Sequence, residues 1–174
     1  MSHDHDLLTE AIDSLLADLA TPQASRRALA RRQPDAQVWA AVADGGYLQA
    51  LVPESSGGAG LDWSAMRALA QAAGRHLPVA PLAEAALAYA LAARAGLALP
   101  PGVVTLSAGL RGGSPAWHAT AVPWGEAAAQ VVLWQGRHLV CVAGPGAGMV
   151  AHAGPAGSSE ADGQWPADAV QGQG

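Results

Sequence analysis

The sequence predicts an α+β fold: an N-terminal all-α helical bundle over residues 1–99, a short antiparallel β domain over 102–153 and a flexible tail over 154–174. Three observations predict it. Leu7, Leu8, Ile12, Leu15, Leu16 and Leu19 recur at helical spacing, and similar patterns continue to residue 99. From Gly102 the pattern changes to short apolar runs separated by glycine-rich turns. After Gly154 the chain is mostly Gly, Ala, Ser and Gln, with little to bury.

The elements follow in order. Residues 6–20 form an amphipathic helix, ended by Thr21-Pro22. Residues 24–32 are a short Arg-rich helix. Pro34 and Asp35 start the next, over 35–43, and Gly45-Gly46 stops it. Residues 51–61 are a Gly-rich loop, and Asp62 is placed to cap a helix over 63–75 with Met66, Leu69, Ala70 and Ala73 inward. After Pro78 and Pro81 comes a helix over 82–95, so Ala-rich all round that it belongs in the interior. Strands are expected at 103–107, 130–134, 138–142 and 149–152.

Composition limits the function. Half of the chain is apolar (51%) and only 13% is charged, so it holds a core and exposes a surface suited to being covered. The net charge is −5 and every basic residue is Arg. Arg26, Arg27, Arg31 and Arg32 sit on one helix flank as a solvated group, and no basic stripe exists to meet nucleic acid. Cys141 is the single cysteine, which fits a reducing cytoplasm. The first six residues lack the pattern of a signal peptide, and the apolar run 85–93 is too short to span a bilayer.

The chemistry-bearing residues are sparse. His3 and His5, with Asp4 and Asp6, have metal-ligand spacing, but a polar terminus is expected to be disordered rather than a metal site. Ser55 and Ser56 have no partner histidine in the sequence pattern. His76 is expected to cap the end of its helix, while His118 and His138 stand alone. Glu84 suits the N-terminal dipole of its helix, and Glu126 lies in an Ala-rich, solvated turn. The loop Leu51-Val52-Pro53-Glu54-Ser55-Ser56-Gly57-Gly58-Ala59-Gly60-Leu61 reads as a structural turn, with an anion cradle as the alternative; it fits neither known phosphate fingerprint.

Taken in register, several segments make a more specific pattern. Gly46-Tyr47-Leu48, the loop 51–61 with Asp62, Ala73-Gly74-Arg75 and Pro78-Val79-Ala80-Pro81 keep an order and spacing that resemble the N-terminal domain of the acyl-CoA dehydrogenase family. Ala121-Val122-Pro123-Trp124-Gly125 and the following residues to Val132 are similar to a segment of that family's middle domain. The resemblance implies FAD-dependent α,β-dehydrogenation of acyl-CoA thioesters in lipid metabolism, on a partial, incomplete middle β domain. It puts the cofactor-binding positions at Ser107, Ala108, Gly113, Ser114, Val122, Pro123 and Trp124.

The departures are as informative. If Gly113-Ser114 is the family's Gly-Ser, its Thr-Glu-Pro positions hold Ala108, Gly109 and Leu110, so the hydroxyl that reaches the flavin is absent. Ala121-Val122-Pro123 stands where the family has Trp-Ile-Ser/Thr. The C-terminal helical domain that carries the Glu base has no counterpart, so no catalytic residue is assigned. The chain is therefore expected to be truncated or to join a homo- or hetero-oligomer in which another chain supplies that domain. The alternative is a non-catalytic helical interaction module or partner subunit that has lost flavin binding.

Overall fold

Side chains that satisfy helix ends set the frame. In the computed structural model, which describes residues 2–108, 111–112, 116–136, 138–145, 149–154 and 159–173 (and their side chains except at 2–6, 111–112, 135 and 170–173), five helices precede eight strands. Helix α1 spans Ser2–Leu19, four residues earlier than the leucine pattern implies. Helix α2 spans Pro22–Arg31: Thr21 Oγ1 accepts the Ala24 N–H at 3.2 Å, and Pro22 takes a first-turn position where its missing N–H is harmless. Asp35 caps α3 (Ala36–Asp44), accepting from Gln37 N and Val38 N at 2.9 and 3.2 Å. Asp62 caps α4 (Trp63–His76) through Ser64 N at 2.8 Å. Helix α5 spans Leu82–Arg94 and buries Leu82, Ala85, Ala86, Ala88, Ala90 and Ala92, as its all-round alanine pattern requires.

The loop between α3 and α4 is self-contained. The N–H groups of Ser56, Gly57, Gly58, Ala59, Gly60 and Leu61 all donate to backbone carbonyls of residues 49–54. No N–H of that run remains to cradle an anion, so the structural-turn reading holds. Leu51 and Val52 are buried beneath it. Gly58 presses against the Val52 backbone, leaving no room for a Cβ, and Gly57 has φ +85°.

The strands are β1 (Val104–Ser107), β2 (Arg111–Gly112), β3 (Ala116–Pro123), β4 (Gln130–Gln135), β5 (His138–Ala143), β6 (Val150–Ala153), β7 (Ser159–Pro166) and β8 (Val170–Gln173). They form two four-stranded sheets, ordered β1-β4-β5-β8 and β2-β3-β7-β6. The described pairs are antiparallel except β1–β4. The first sheet is the middle layer of three. Val104, Val132, Leu139 and Cys141 pack into the helical core with Ile12, Leu16, Leu82 and Ala85. The opposite face, Val131, Leu133, Val140 and Val142, packs on Ala119, Val122 and Trp165 of the second sheet. Strands covered on both sides read as continuous apolar runs, which is why β4 and β5 are evident in the sequence.

The tail expectation is corrected. Residues 159–173 are two strands and a turn, with β7 pairing both β3 and β6, and β8 pairing β5. Strand β7 buries alternate residues, Ser159, Ala161, Gly163 and Trp165, three of them small, so the usual apolar signal is absent. Strand β3 escaped the sequence reading for a related reason: its Trp, His, Thr and Ala residues carry no continuous apolar run.

Candidate functional site

Two places gather the positions that the resemblance singles out. Ser107 and Ala108 lie at the end of β1 in the middle sheet; Val122, Pro123 and Trp124 lie at the end of β3 in the outer sheet. Gly113 and Ser114 lie outside the described residues. Ser107 is buried and already engaged within the protein, whereas Ala108 is exposed. Val122 is fully buried in the core between the sheets.

The end of β3 is shaped by a bulge. The pairing of β3 with β7 shifts between Ala119 and Val122, and Ala121 takes a left-handed φ of 51°. Its N–H donates to Asp162 Oδ1 at 2.9 Å, and the His152 ring lies 3.2 Å from the same oxygen. The Ala121 N–H, and then His152, hold the Asp162 carboxyl below the usual carboxylate range. Trp124 is also left-handed, with φ 55°, and its N–H donates to Ser159 O at 2.7 Å. The Trp124 indole does not project toward solvent. It is 7% exposed and packs on Ala28 of α2 and on Val79 in the link before α5.

Beside that indole is an apolar cavity of about 540 Å³, lined by Pro22, Leu29, His76, Leu77, Val79 and Trp124 among others. Its size is in the range of ligand sites. Its described lining contains no carboxylate. His76 leads from this lining to a carboxylate: Asp13 Oδ1 on α1 lies 2.9 Å from His76 Nε2 and also meets the Arg75 guanidinium. The His76 hydrogen bond chiefly, and Arg75 after it, hold Asp13 below its ordinary value. His76 thus ties α4 to α1 rather than capping its own helix, because Asp13 is within reach across the α1–α4 contact.

The remaining candidates stay apart. Glu84 lies in the first turn of α5, where its charge meets the helix dipole, and Glu126 is exposed in the turn after β3. Ser55 and Ser56 are exposed in the loop; His118 and His138 are exposed on β3 and β5. No metal-binding group of three occurs among the described residues, and the side chains of residues 3–6 lie outside them. Sequence reading missed Asp13, His152, Ser159 and Asp162. No local motif marks them, and only the folded pairing of β3 with β7 and of α1 with α4 brings them to their partners.

The FAD implied by the resemblance can be tested against these residues. A flavin edge is held by N–H and O–H donors. Ala108, Val122 and Pro123 have no side-chain donor, Pro123 has no N–H, and the Ala121 and Trp124 N–H groups are already given to Asp162 and Ser159. Of the described side chains at these positions only Ser107 and Trp124 carry a donor, and both are buried, a poor fit to a flavin ring.

The comparisons agree with the architecture. The family model described as "Acyl-CoA dehydrogenase, N-terminal domain" matches residues 2–100. No curated protein matches the chain. Among solved structures, the fold is similar to the "Tcur3481-Tcur3483 steroid ACAD" (23% identity, TM-score 0.75, covering 97% of this chain and 56% of that one). It is also similar to the ChsE4-ChsE5 complex from Mycobacterium tuberculosis (20%, 0.67, 95% and 56%). A third is an acyl-CoA dehydrogenase from Geobacillus kaustophilus (14%, 0.66, 97% and 58%). The chain therefore spans little more than half the length of these structures. With the N-terminal domain model matched over more than half of its residues, on the helical layer and loop described above, the chain belongs to the acyl-CoA dehydrogenase family.

Proposed function

We propose that this chain is one component of an acyl-CoA dehydrogenase-type assembly, an oxidoreductase acting on acyl-CoA thioesters in lipid metabolism, with the base and the flavin supplied from elsewhere in that assembly. The observation that carries the reading is the family match joined to a cavity lining without a carboxylate. Dehydrogenation at the α and β carbons needs a carboxylate within hydrogen-bond reach of the α proton and an acceptor for the hydride. Neither Glu84, in the first turn of α5, nor Glu126, exposed in its turn, borders the cavity beside Trp124.

What this chain contributes is a scaffold: a helical unit over residues 1–99 and a β unit from 102 onward, joined by packing across the middle sheet. The paired names of two similar structures, one of them a complex, support an oligomer with a second chain of the same family. The absence, among the described residues, of a helix long and apolar enough to cross a membrane is compatible with that. A lone buried thiol at Cys141 fits the reducing cytoplasm.

The test is to isolate the tagged chain from its own cells under mild conditions and assay acyl-CoA-dependent reduction of a dye, using butyryl-CoA and longer acyl-CoA probes. The proposal expects activity in the isolated assembly. An assembly that contains flavin yet reduces no dye with any acyl-CoA, or one without flavin, contradicts it and favours the non-catalytic module.

A further inference from the structure

We infer that the flavin-facing edge of the β domain is closed in this chain, so that a flavin acting in its assembly is held by another chain. The existence of that assembly rests on the proposed function; the closure does not. An oxidised isoalloxazine ring presents acceptor nitrogens and oxygens along its edge, and a site that binds it must meet them with donors. The described edge here runs through Ser107, Ala108 and the Val122-Pro123-Trp124 turn.

The side chains at this edge that carry a donor are buried, and the backbone N–H groups of Ala121 and Trp124 are already used. Ala108 offers a methyl group, and Ser107 is 6% exposed and engaged inside the protein. Asp162 takes the Ala121 N–H, and Ser159 O takes the Trp124 N–H at 2.7 Å. Pro123 has no N–H to give. The one flat ring at this edge, Trp124, is turned into the helical layer against Ala28 and Val79 and is not presented for stacking.

The two N–H groups are held differently, that of Ala121 by the Asp162 side chain and that of Trp124 by the Ser159 main chain. Ala121 and Trp124 are both non-glycine residues in the left-handed region, a conformation that persists only where the surroundings over-determine it. Here the surroundings are Asp162 and Ser159, both on β7. Freeing the Trp124 N–H means moving the β7 backbone, which is paired to β3 and to β6, whereas freeing the Ala121 N–H needs only the Asp162 carboxylate to turn away.

The experiment is equilibrium dialysis of the purified full chain against excess FAD, read by the visible flavin band. The sample is first shown to be folded by the failure of its buried Cys141 to react with a thiol reagent. The expected result is a flavin level on the protein side equal to that in the buffer. Near-stoichiometric retention overturns the inference. The two readings fail differently. A yellow isolated chain sinks the closure and leaves the dehydrogenase assembly standing; an active-looking assembly without flavin sinks the proposed function and leaves the closure.

Discussion

Trp165 on β7 donates its indole N–H to the carbonyl oxygen of Ala143 on β5 at 3.0 Å, tying the outer sheet to the middle one. The ring is 2% exposed and lies over Gly163, where a Cβ would meet it at 2.6 Å. Trp165→Ala is expected to lower the unfolding free energy by about 3 kcal/mol, the usual scale for removing a buried large aromatic ring. Urea unfolding measures it. Deletion of residues 159–174 removes partners from β3, β5 and β6 together and is expected to abolish the sheet signal in circular dichroism. A deletion that melts like the full chain would show the segment to be dispensable.

Trp124 joins the layers from the other end. Its indole packs on Ala28 and Val79, so Trp124→Ala is expected to destabilise by roughly 3 kcal/mol and to loosen the contact between β domain and helices. Hydrogen exchange at α2 and in the link before α5 should rise in this variant. Unchanged exchange there would contradict the contact.

Asp13 gives a pH dependence. Its carboxyl is held below the usual carboxylate range, mainly by the hydrogen bond with His76 and then by Arg75. In that window the unfolded chain binds more protons than the folded one, so stability rises with pH there. The contribution is fully present above the unfolded value and is lost as pH falls through the lower, folded value. Asp13→Asn is expected to melt below the wild type at neutral pH, with the gap shrinking as pH drops below about 4. A gap that stays constant with pH would show that the carboxylate charge contributes nothing.

Two adjacent glycines in the loop separate sterics from backbone conformation. Gly58 has no space for a Cβ against the Val52 backbone, whereas Gly57 has open space but φ +85°. Gly57→Ala is expected to cost about 1 kcal/mol, the penalty of a left-handed alanine. Gly58→Ala should cost more, on the order of 2 kcal/mol, because the turn itself must shift. Thermal melts of the two variants check the order.

Cys141 lies in the middle sheet, 4% exposed, and burial pushes its thiol up to about 11. The native chain is expected to leave a thiol reagent unreacted at mildly alkaline pH and to titrate one thiol per chain in urea. Rapid native reaction would mean that the packing of α5 on the sheet opens readily.

The sequence made the helical half legible because its signals are local. The capping residues Asp35 and Asp62 act within three residues of themselves, and α5 declares its burial by alanine on every face. The loop was legible as a turn for the same reason, since the N–H groups of residues 56–61 are all satisfied nearby. The outer sheet was legible only at β6, because β7 is built from small residues whose burial depends on β3 and β6 lying beside them. The family resemblance rested on local motifs and is matched by the comparisons. The closed edge was only half legible: the missing hydroxyls at Ala108 and Pro123 are in the sequence, whereas the committed N–H groups of Ala121 and Trp124 depend on pairing with a distant strand.

The most direct measurement is the flavin content of the intact assembly before and after this chain is separated from its partner. The account predicts a yellow assembly whose flavin remains with the partner, leaving this chain colourless and still folded. Flavin that leaves with this chain in near-stoichiometric amount would contradict it.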